Sequence, residues 1–201
     1  MLRRRGRREP EPAASGTDPL YAWAAALPPR WQRPVQDALS TREQFRTVSA
    51  QAVPGPTKDR LDRLGDTVDE AVQRVADAAW RASNAEALAT NLDVRTATEE
   101  LKSARRELEQ LQAAGAPSTA AEQRVAALAE RHRAVNDALN LADDAGARLG
   151  ELNVRLQTAV ARAATIVLRA AQDDRLEDLD QELAEVIVGL RAVDDALGEL
   201  R

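Results

Sequence analysis

The sequence predicts an all-α protein: a long antiparallel coiled-coil hairpin with a third, C-terminal helix packed along part of it. Composition is the first reason, because aromatic residues make up only 2% and charged residues 30% of a chain rich in Ala and Leu. Long helices that pack along narrow seams have this composition. The second reason is that apolar residues recur at spacings of three and four through most of 57–200, which is the helical stripe. The third is a break, "GAPS", near the middle of that pattern.

The N-terminal region precedes the helical pattern. Residues 1–19 are expected to be a disordered basic tail, since five of the first eight residues are Arg and Pro, Gly and Ser follow. Residues 20–56 are predicted to form an arm that contains Trp and Pro. Within it a short helix should run from about Pro34 to Ala50, because Pro is tolerated in a first helical turn. The stretch "VPGP" at 53–56 should then stop the helix.

The first long helix is predicted over 57–114, with Thr57 as a candidate N-cap. Between Leu92 and Leu101 the apolar pattern slips by about two residues, which changes the local winding without ending a helix. Before the slip, the predicted buried stripe includes Leu61, Leu64, Val68, Val75, Ala79, Ala82 and Ala89.

The break within "LQAAGAPSTAAEQ" (111–123) is interpreted as the tip of a hairpin. Gly115 suits the left-handed residue that ends a helix, and Pro117 prevents the helix from continuing. Thr119 and Glu122 match a capping box that would start the next helix. A short connection between two helices of similar length makes them antiparallel neighbours. The alternative is one continuous rod through residue 170, which is disfavoured because Pro inside a helix costs ~3 kcal/mol.

The second long helix is predicted over 119–172. Its seam alternates between spacings of three and four over six heptads and has three imperfect positions, His132, Gly146 and Asn153. His132 is the only histidine and is expected to be a partly exposed seam residue. A pH sensor is the alternative.

The third helix is predicted over 174–200, with a seam made only of Leu and Val. That seam is offset by two residues from the preceding one, which indicates a turn or kink near 172–174. We expect this helix to fold back onto the hairpin, although it could instead project and pair between chains. Its seam residues are Leu176, Leu179, Leu183, Val186, Leu190, Val193, Leu197 and Leu200.

Charge is unevenly distributed along the chain. Residues 1–56 hold nine Arg against five Asp or Glu, whereas residues 173–201 hold three Arg against ten. An acidic helix with an apolar seam indicates a docking element for a basic partner or for the basic N-terminus, and a solvated face on a packed helix is the alternative. Trp80 lies one position off the first seam, so it either packs under the third helix or anchors a partner. The candidate partner-binding residues are therefore Leu183, Val186, Leu190, Val193 and Trp80.

A different class of function, a peripheral membrane binder, is the alternative. Arg side chains attract anionic lipid and Trp prefers the membrane interface. The candidate membrane-contact residues are Arg3, Arg4, Arg5, Arg7, Arg8, Trp23 and Trp31. The competing expectation is a disordered arm whose Trp residues dock on the bundle. The basic start lacks the apolar stretch of a signal peptide, and no apolar run is long enough to span a bilayer. We therefore expect a cytoplasmic protein, peripheral at the inner face of the membrane if this arm binds lipid.

Other function classes find little support in the sequence. The net charge of −5 argues against nucleic-acid binding. There is no Cys, no nucleophile–base pair, no phosphate loop and no metal-ligand motif, so we predict neither an enzyme nor a cofactor. The many carboxylates, such as Asp143 and Asp144, are expected on solvated helix faces.

Two segments resemble an actinobacterial group of helical proteins associated with phage-shock envelope-stress systems. The first is "GPTKDRLDRLGDTVDEAVQRVADAAWRASNAEAL", which contains Gly55, Pro56 and Trp80. The second is "LNVRLQTAVARA" with the acidic "LEDLDQELAEVIVGLRAVDDALGEL" after it. The resemblance covers about residues 55–201. It implies a non-enzymatic partner or regulator of a PspA-like, membrane-remodelling helical protein, and it carries over no catalytic residue.

Overall fold

The computed structural model describes residues 18–91, 94–169 and 174–198, and within these ranges every element is a helix. This confirms the predicted all-α class. Of the tail predicted over 1–19, residues 1–17 lie outside the described residues, as do the predicted helix ends at 170–172 and 199–200. Asp18 and Pro19 are not part of a disordered tail, because they cap and begin a helix. In chain order the helices are α1 Pro19–Ala25, α2 Pro29–Gln51, α3 Pro56–Asn91, α4 Val94–Ala113, α5 Thr119–Arg169 and α6 Asp174–Gly198.

Four of these helices form a bundle. Both α2 and α6 pack against α3 and against α5, and α3 also packs against α5. Arg46 contacts Asp69 at 3.1 Å and Arg30 contacts Glu86 at 3.2 Å, so α2 and α3 are antiparallel. Because α6 packs against α3 and α5, the third helix of the sequence prediction lies against the two long helices of the same chain.

The arm predicted over 20–56 is a full member of this bundle. Its short helix was expected from about Pro34, but α2 begins at Pro29 and includes Pro34 inside the helix. Trp31 and Phe45 belong to one buried face of α2. Pro29 suits the first helical position because its missing N–H has no partner there. The sequence predicted an arm here, and not a bundle helix, because Pro28 and Pro29 interrupt the helical pattern.

Helix α1 was not predicted, and local polar contacts explain it. Asp18 caps it by accepting the N–H of Leu20 at 2.8 Å, and Pro19 occupies its first position. At the other end, the Gln32 side chain donates to the carbonyls of Ala25 and Leu27. The buried Arg42 of α2 contacts Asp18 at 2.5 Å. These contacts hold α1 along α2.

Beyond the bundle, α4 packs mainly against the first half of α5. Glu107 pairs with Arg124 and Glu100 with Arg131, each at 3.1 Å, so these helices run antiparallel. The single helix predicted over 57–114 is described as α3 and α4, and the two residues between them lie outside the described ranges. Towards the tip, seam residues such as Leu108 and Leu128 are only half-buried. This part of the hairpin thus consists of two packed helices, whereas the bundle has four.

The tip of the hairpin is where the sequence places it. Gly115 has a φ of 65° and donates its N–H to Gln112, while Ala116 donates to the carbonyl of Leu111 at 2.9 Å. This pair of bonds is a Schellman ending. Thr119 is not the N-cap of the predicted capping box, because it is the first residue of α5 and Ser118 precedes the helix. The Ser118 hydroxyl donates to the Glu122 carboxylate at 2.6 Å, and Thr119 is the first residue of α5.

Two imperfect seam positions of α5 are explained by α2. At Gly146 an added Cβ would lie 3.5 Å from the Trp31 ring, in ordinary van der Waals contact, so the indole occupies the space that any side chain larger than Ala would need. The buried Asn153 donates through its amide nitrogen to the Pro34 carbonyl at 2.8 Å. Gly146 and Asn153 fit poorly into a seam between two helices. They are instead the positions at which α5 contacts α2.

Candidate partner-binding surface

The predicted partner-binding residues of α6 are core residues in this fold. Leu183, Val186, Leu190 and Val193 are each at most 2% exposed, because α6 packs between α3 and α5. A partner could reach these side chains only by displacing α6. The interpretation of this seam as an accessible docking face is therefore corrected, and the accessible apolar surface must be sought elsewhere.

An open groove lies at the point where α6 ends. It has a volume of about 450 Å³ and follows the channel between α3 and α5 past the last described turn of α6. We call it the Trp80 groove. It is lined by Trp80, Arg81, Asn84, Ala85, Leu88 and Ala89 of α3, by Ala134, Val135 and Ala138 of α5, and by Leu197 and Gly198 of α6.

Two large apolar side chains stand exposed along this groove. Trp80 is 49% exposed and Leu88 is 60% exposed. With Asn84 they are spaced by four residues and so lie on one side of α3. The sequence left open whether Trp80 packs under the third helix or is exposed, and half of its surface is accessible. Large aromatic side chains of this kind dominate the energy of many protein interfaces.

A second groove adjoins the first across Trp80. It has a volume of about 570 Å³ and lies between α1 and α3, where Leu20, Trp23 and Asp77 contribute to its walls. Trp23 and Leu20 are partly buried and pack against the core. Trp80 is therefore bordered by a groove on either side.

Charged groups surround these apolar walls. Arg81 is paired with Asp194 of α6 at 2.8 Å, so its positive charge is balanced. Asp77 is exposed beside Trp80. Glu130 is also exposed and lies four residues before Ala134, on the same side of α5. Neither of these carboxylates lines the Trp80 groove itself, where the charged lining residue is the paired Arg81.

The candidate membrane-contact residues differ in whether the structure leaves them exposed. Trp31 is fully buried, and its indole N–H donates to Glu86 at 2.6 Å. It cannot contact lipid in this fold, so that prediction is corrected: its ring fills the space above Gly146. Trp23 keeps a partly exposed face. The five Arg residues, Arg3, Arg4, Arg5, Arg7 and Arg8, lie outside the described residues.

His132 lies where α4 meets α5 and is half-buried, as a seam residue should be. Its Nε2 is 3.1 Å from the Thr98 hydroxyl, which itself donates to the Val94 carbonyl. The amide nitrogen of Asn136 is 3.2 Å from Nδ1. His132 therefore has a structural role in joining the two helices.

Within the described ranges, no group of three or more His, Asp or Glu side chains is arranged to hold a metal ion. None of the helices that the structure describes is long and apolar enough to cross a membrane.

Leu88 is the residue of this surface that the sequence did not single out. It lies beside the seam residue Ala89 and was not among the residues predicted for a buried stripe or a binding site. A usable signal was present, because Trp80 and Leu88 are eight residues apart and both lie off the seam. Two large apolar residues on one exposed flank of a helix indicate a second contact face.

Comparison with protein-family models, with curated proteins and with solved structures gives no match for this chain. The resemblance to phage-shock-associated proteins accordingly stays a prediction.

Proposed function

We propose that this chain is a non-enzymatic interaction or scaffold protein that binds a helical partner through the Trp80 groove. The observation that carries the proposal is the exposure of Trp80 and Leu88 in a channel that α6 fills along the rest of its length. Exposed apolar side chains around a concavity are typical of protein-binding sites.

The proposed partner is a PspA-like envelope-stress protein, at the cytoplasmic face of the envelope. The resemblance of residues 55–201 supports this choice, and Trp80, one of its marks, is also a wall of the groove. In this proposal α4 and the first half of α5 act as a projecting antiparallel coiled coil. The hairpin would then extend the surface along which a long helical partner can lie.

The test is to measure binding of the purified full chain to a purified PspA-like protein by biolayer interferometry. We expect Leu88→Asp to weaken binding at least tenfold, because a carboxylate would be desolvated in the interface. Val188→Asp is the matched control, since Val188 is 64% exposed on α6 and lines none of the described grooves. Absence of binding by the unmodified chain would exclude this partner, and equal effects of both variants would exclude this surface.

Lipid contact through the N-terminal arm is the second candidate. It is favoured by the five Arg residues within the first eight and by the partly exposed Trp23. Flotation with anionic liposomes should then retain the full chain and release a chain that lacks residues 1–17. If both proteins float equally, or neither does, this arm is not a lipid anchor.

A further inference from the structure

We propose that the groove between α1 and α3 binds a small organic cation of the quaternary ammonium class. This groove adjoins the Trp80 groove and is distinct from it, since Leu88 is not among its lining residues. We call it the two-tryptophan groove, because Trp23 of α1 and Trp80 of α3 both line it. The site goes beyond the proposed function, because a helical partner would bind on the other side of Trp80.

Aromatic side chains are concentrated at this groove. The whole chain has three Trp, one Tyr and one Phe, and two of the three Trp residues line the groove. On the α1 wall, Trp23 lies three residues after Leu20. On the α3 wall, Gln73, Asp77 and Trp80 are spaced by four and three residues, so they lie on one side of the helix. Each wall therefore carries one indole, and the α3 wall places a carboxylate next to it.

The size and rigidity of the groove suit a small molecule. Its volume of about 570 Å³ lies in the range of small-ligand sites. The α1 wall has only seven residues and extends about 10 Å, which is too short to line a long docked helix. Leu20 and Trp23 pack against the core, and the ion pair between Asp18 and Arg42 fastens the start of α1 to α2. The wall is thus in place before a ligand binds, which lowers the cost of binding.

The charge inside the groove favours a cation. Asp77 lines the groove, is exposed, and accepts the Gln73 amide at 3.1 Å. It has no ion-pair partner among the residues that the structure describes. Arg81, which also lines the groove, is paired with Asp194 at 2.8 Å, so its positive charge is balanced. The lining therefore presents one uncompensated negative charge.

The chemistry of the walls favours a quaternary ammonium over other cations. Indole faces attract cations more strongly than other aromatic side chains do, and methyl groups on the nitrogen can contact the apolar lining. A guanidinium would bring five N–H donors, whereas Asp77 and Gln73 offer few acceptors. A primary ammonium is strongly hydrated and would lose that water at apolar walls. A neutral apolar ligand would desolvate the Asp77 carboxylate without compensation.

The experiment compares two probes of equal shape on the full chain. One is choline, and the other is its uncharged carbon isostere, in which a tert-butyl group replaces the trimethylammonium group. Affinities are measured by calorimetry at low salt. We expect choline to bind at least about fivefold more tightly than the isostere, because only choline carries the charge that the indoles and the carboxylate attract. Choline should also change the tryptophan fluorescence of the chain.

Two variants with matched controls test the walls. Trp80→Ala should weaken choline binding at least about fivefold through loss of one indole face. Leu88→Ala is its control, because Leu88 is an exposed apolar residue of the same helix outside this groove. Asp77→Asn keeps the shape and removes the charge, so it should weaken choline binding and leave the isostere unaffected. Asp180→Asn, at an exposed site on α6, is its control. Circular dichroism and melting establish that each variant is folded.

Four outcomes would overturn this site. They are equal affinity for choline and the isostere, binding of neither probe, and choline binding that Trp80→Ala and Asp77→Asn both leave unchanged. The fourth is binding to phosphatidylcholine vesicles without binding of free choline, since a membrane surface would then be the ligand. None of these results bears on the proposed helical partner, which is tested by Leu88→Asp. Failure of that partner to bind would likewise leave the choline result standing.

Discussion

The indole N–H of Trp31 donates to Oε2 of Glu86 over 2.6 Å, and this hydrogen bond joins the first turn of α2 to α3. Arg30, the preceding residue, pairs with Glu86 and with Asp143 of α5. The Trp31 ring is fully buried against Gly146. The N-terminal region is therefore fastened to both long helices at the end of the bundle from which the hairpin projects.

Replacing Trp31 should destabilise the bundle in two separable steps. Trp31→Phe removes the hydrogen bond and some volume, so we expect a loss of about 1–2 kcal/mol in the free energy of unfolding. Trp31→Ala also leaves a cavity and should cost about 3–5 kcal/mol. Urea unfolding followed by circular dichroism gives both values. Losses below ~0.5 kcal/mol for both variants would show that α2 is not an integral part of the bundle.

Gly189 and Gly150 should respond oppositely to Ala. A Cβ at Gly189 would lie 2.7 Å from Cδ2 of Leu152, whereas nothing lies within 4 Å of a Cβ at Gly150. Gly150→Ala should stabilise the protein by about 0.5–1 kcal/mol through helix propensity. Gly189→Ala gains the same term but must displace a packed Leu, at about 1–3 kcal/mol. Thermal melts compare the two, and equal stabilisation would contradict the close packing of α5 on α6.

Acid should weaken the attachment of α1. Burial alone would raise the pKa of Asp18, but the Leu20 N–H and the Arg42 guanidinium outweigh it, and the pKa is lowered overall. Its stabilising effect is therefore present above about pH 4, the ordinary Asp value, and is lost as the pH falls through the lowered pKa.

The variant Asp18→Asn tests this, because Asn retains a helix cap and loses the charge. At pH 7 we expect it to cost about 1–2 kcal/mol. The difference from the unmodified chain should shrink towards pH 2.5, as measured by urea unfolding at each pH. Asp62 and Glu70 also have lowered pKa values, but they titrate in both proteins. A difference that stays constant with pH would refute the pairing.

A substitution at the hairpin tip should destabilise the hairpin without destabilising the bundle. Gly115 has a φ of 65°, which costs other L-residues roughly 1–2 kcal/mol. Gly115→Ala should therefore reduce hydrogen-exchange protection in α4 and in the first third of α5. Protection in α2 and α6 should hardly change, because the hairpin packs little against them. A uniform loss across all helices would mean that hairpin and bundle unfold as one unit.

Local chemistry made much of this architecture predictable. Spacings of three and four located the buried stripe of α3, from Leu61 to Ala89. Gly115 and Pro117 located the turn between α4 and α5, since the conformations they allow or forbid depend on the residue itself. The apolar seam of α6 likewise marked one buried face, of which Leu183 and Leu190 are members.

Tertiary structure decided what those faces meet. A seam of apolar residues predicts that its side chains are buried. It does not predict by what, because burial against the same chain and burial against a partner require the same apolar residues. Only the packing of α6 between α3 and α5 made Leu183 and Leu190 core residues and left Trp80 and Leu88 accessible. Likewise, Gly146 and Asn153 acquire meaning only from α2, which is more than a hundred residues away in sequence. The sequence by itself determined the helices and their apolar faces, whereas the relative positions of the helices decided which surface is free to bind.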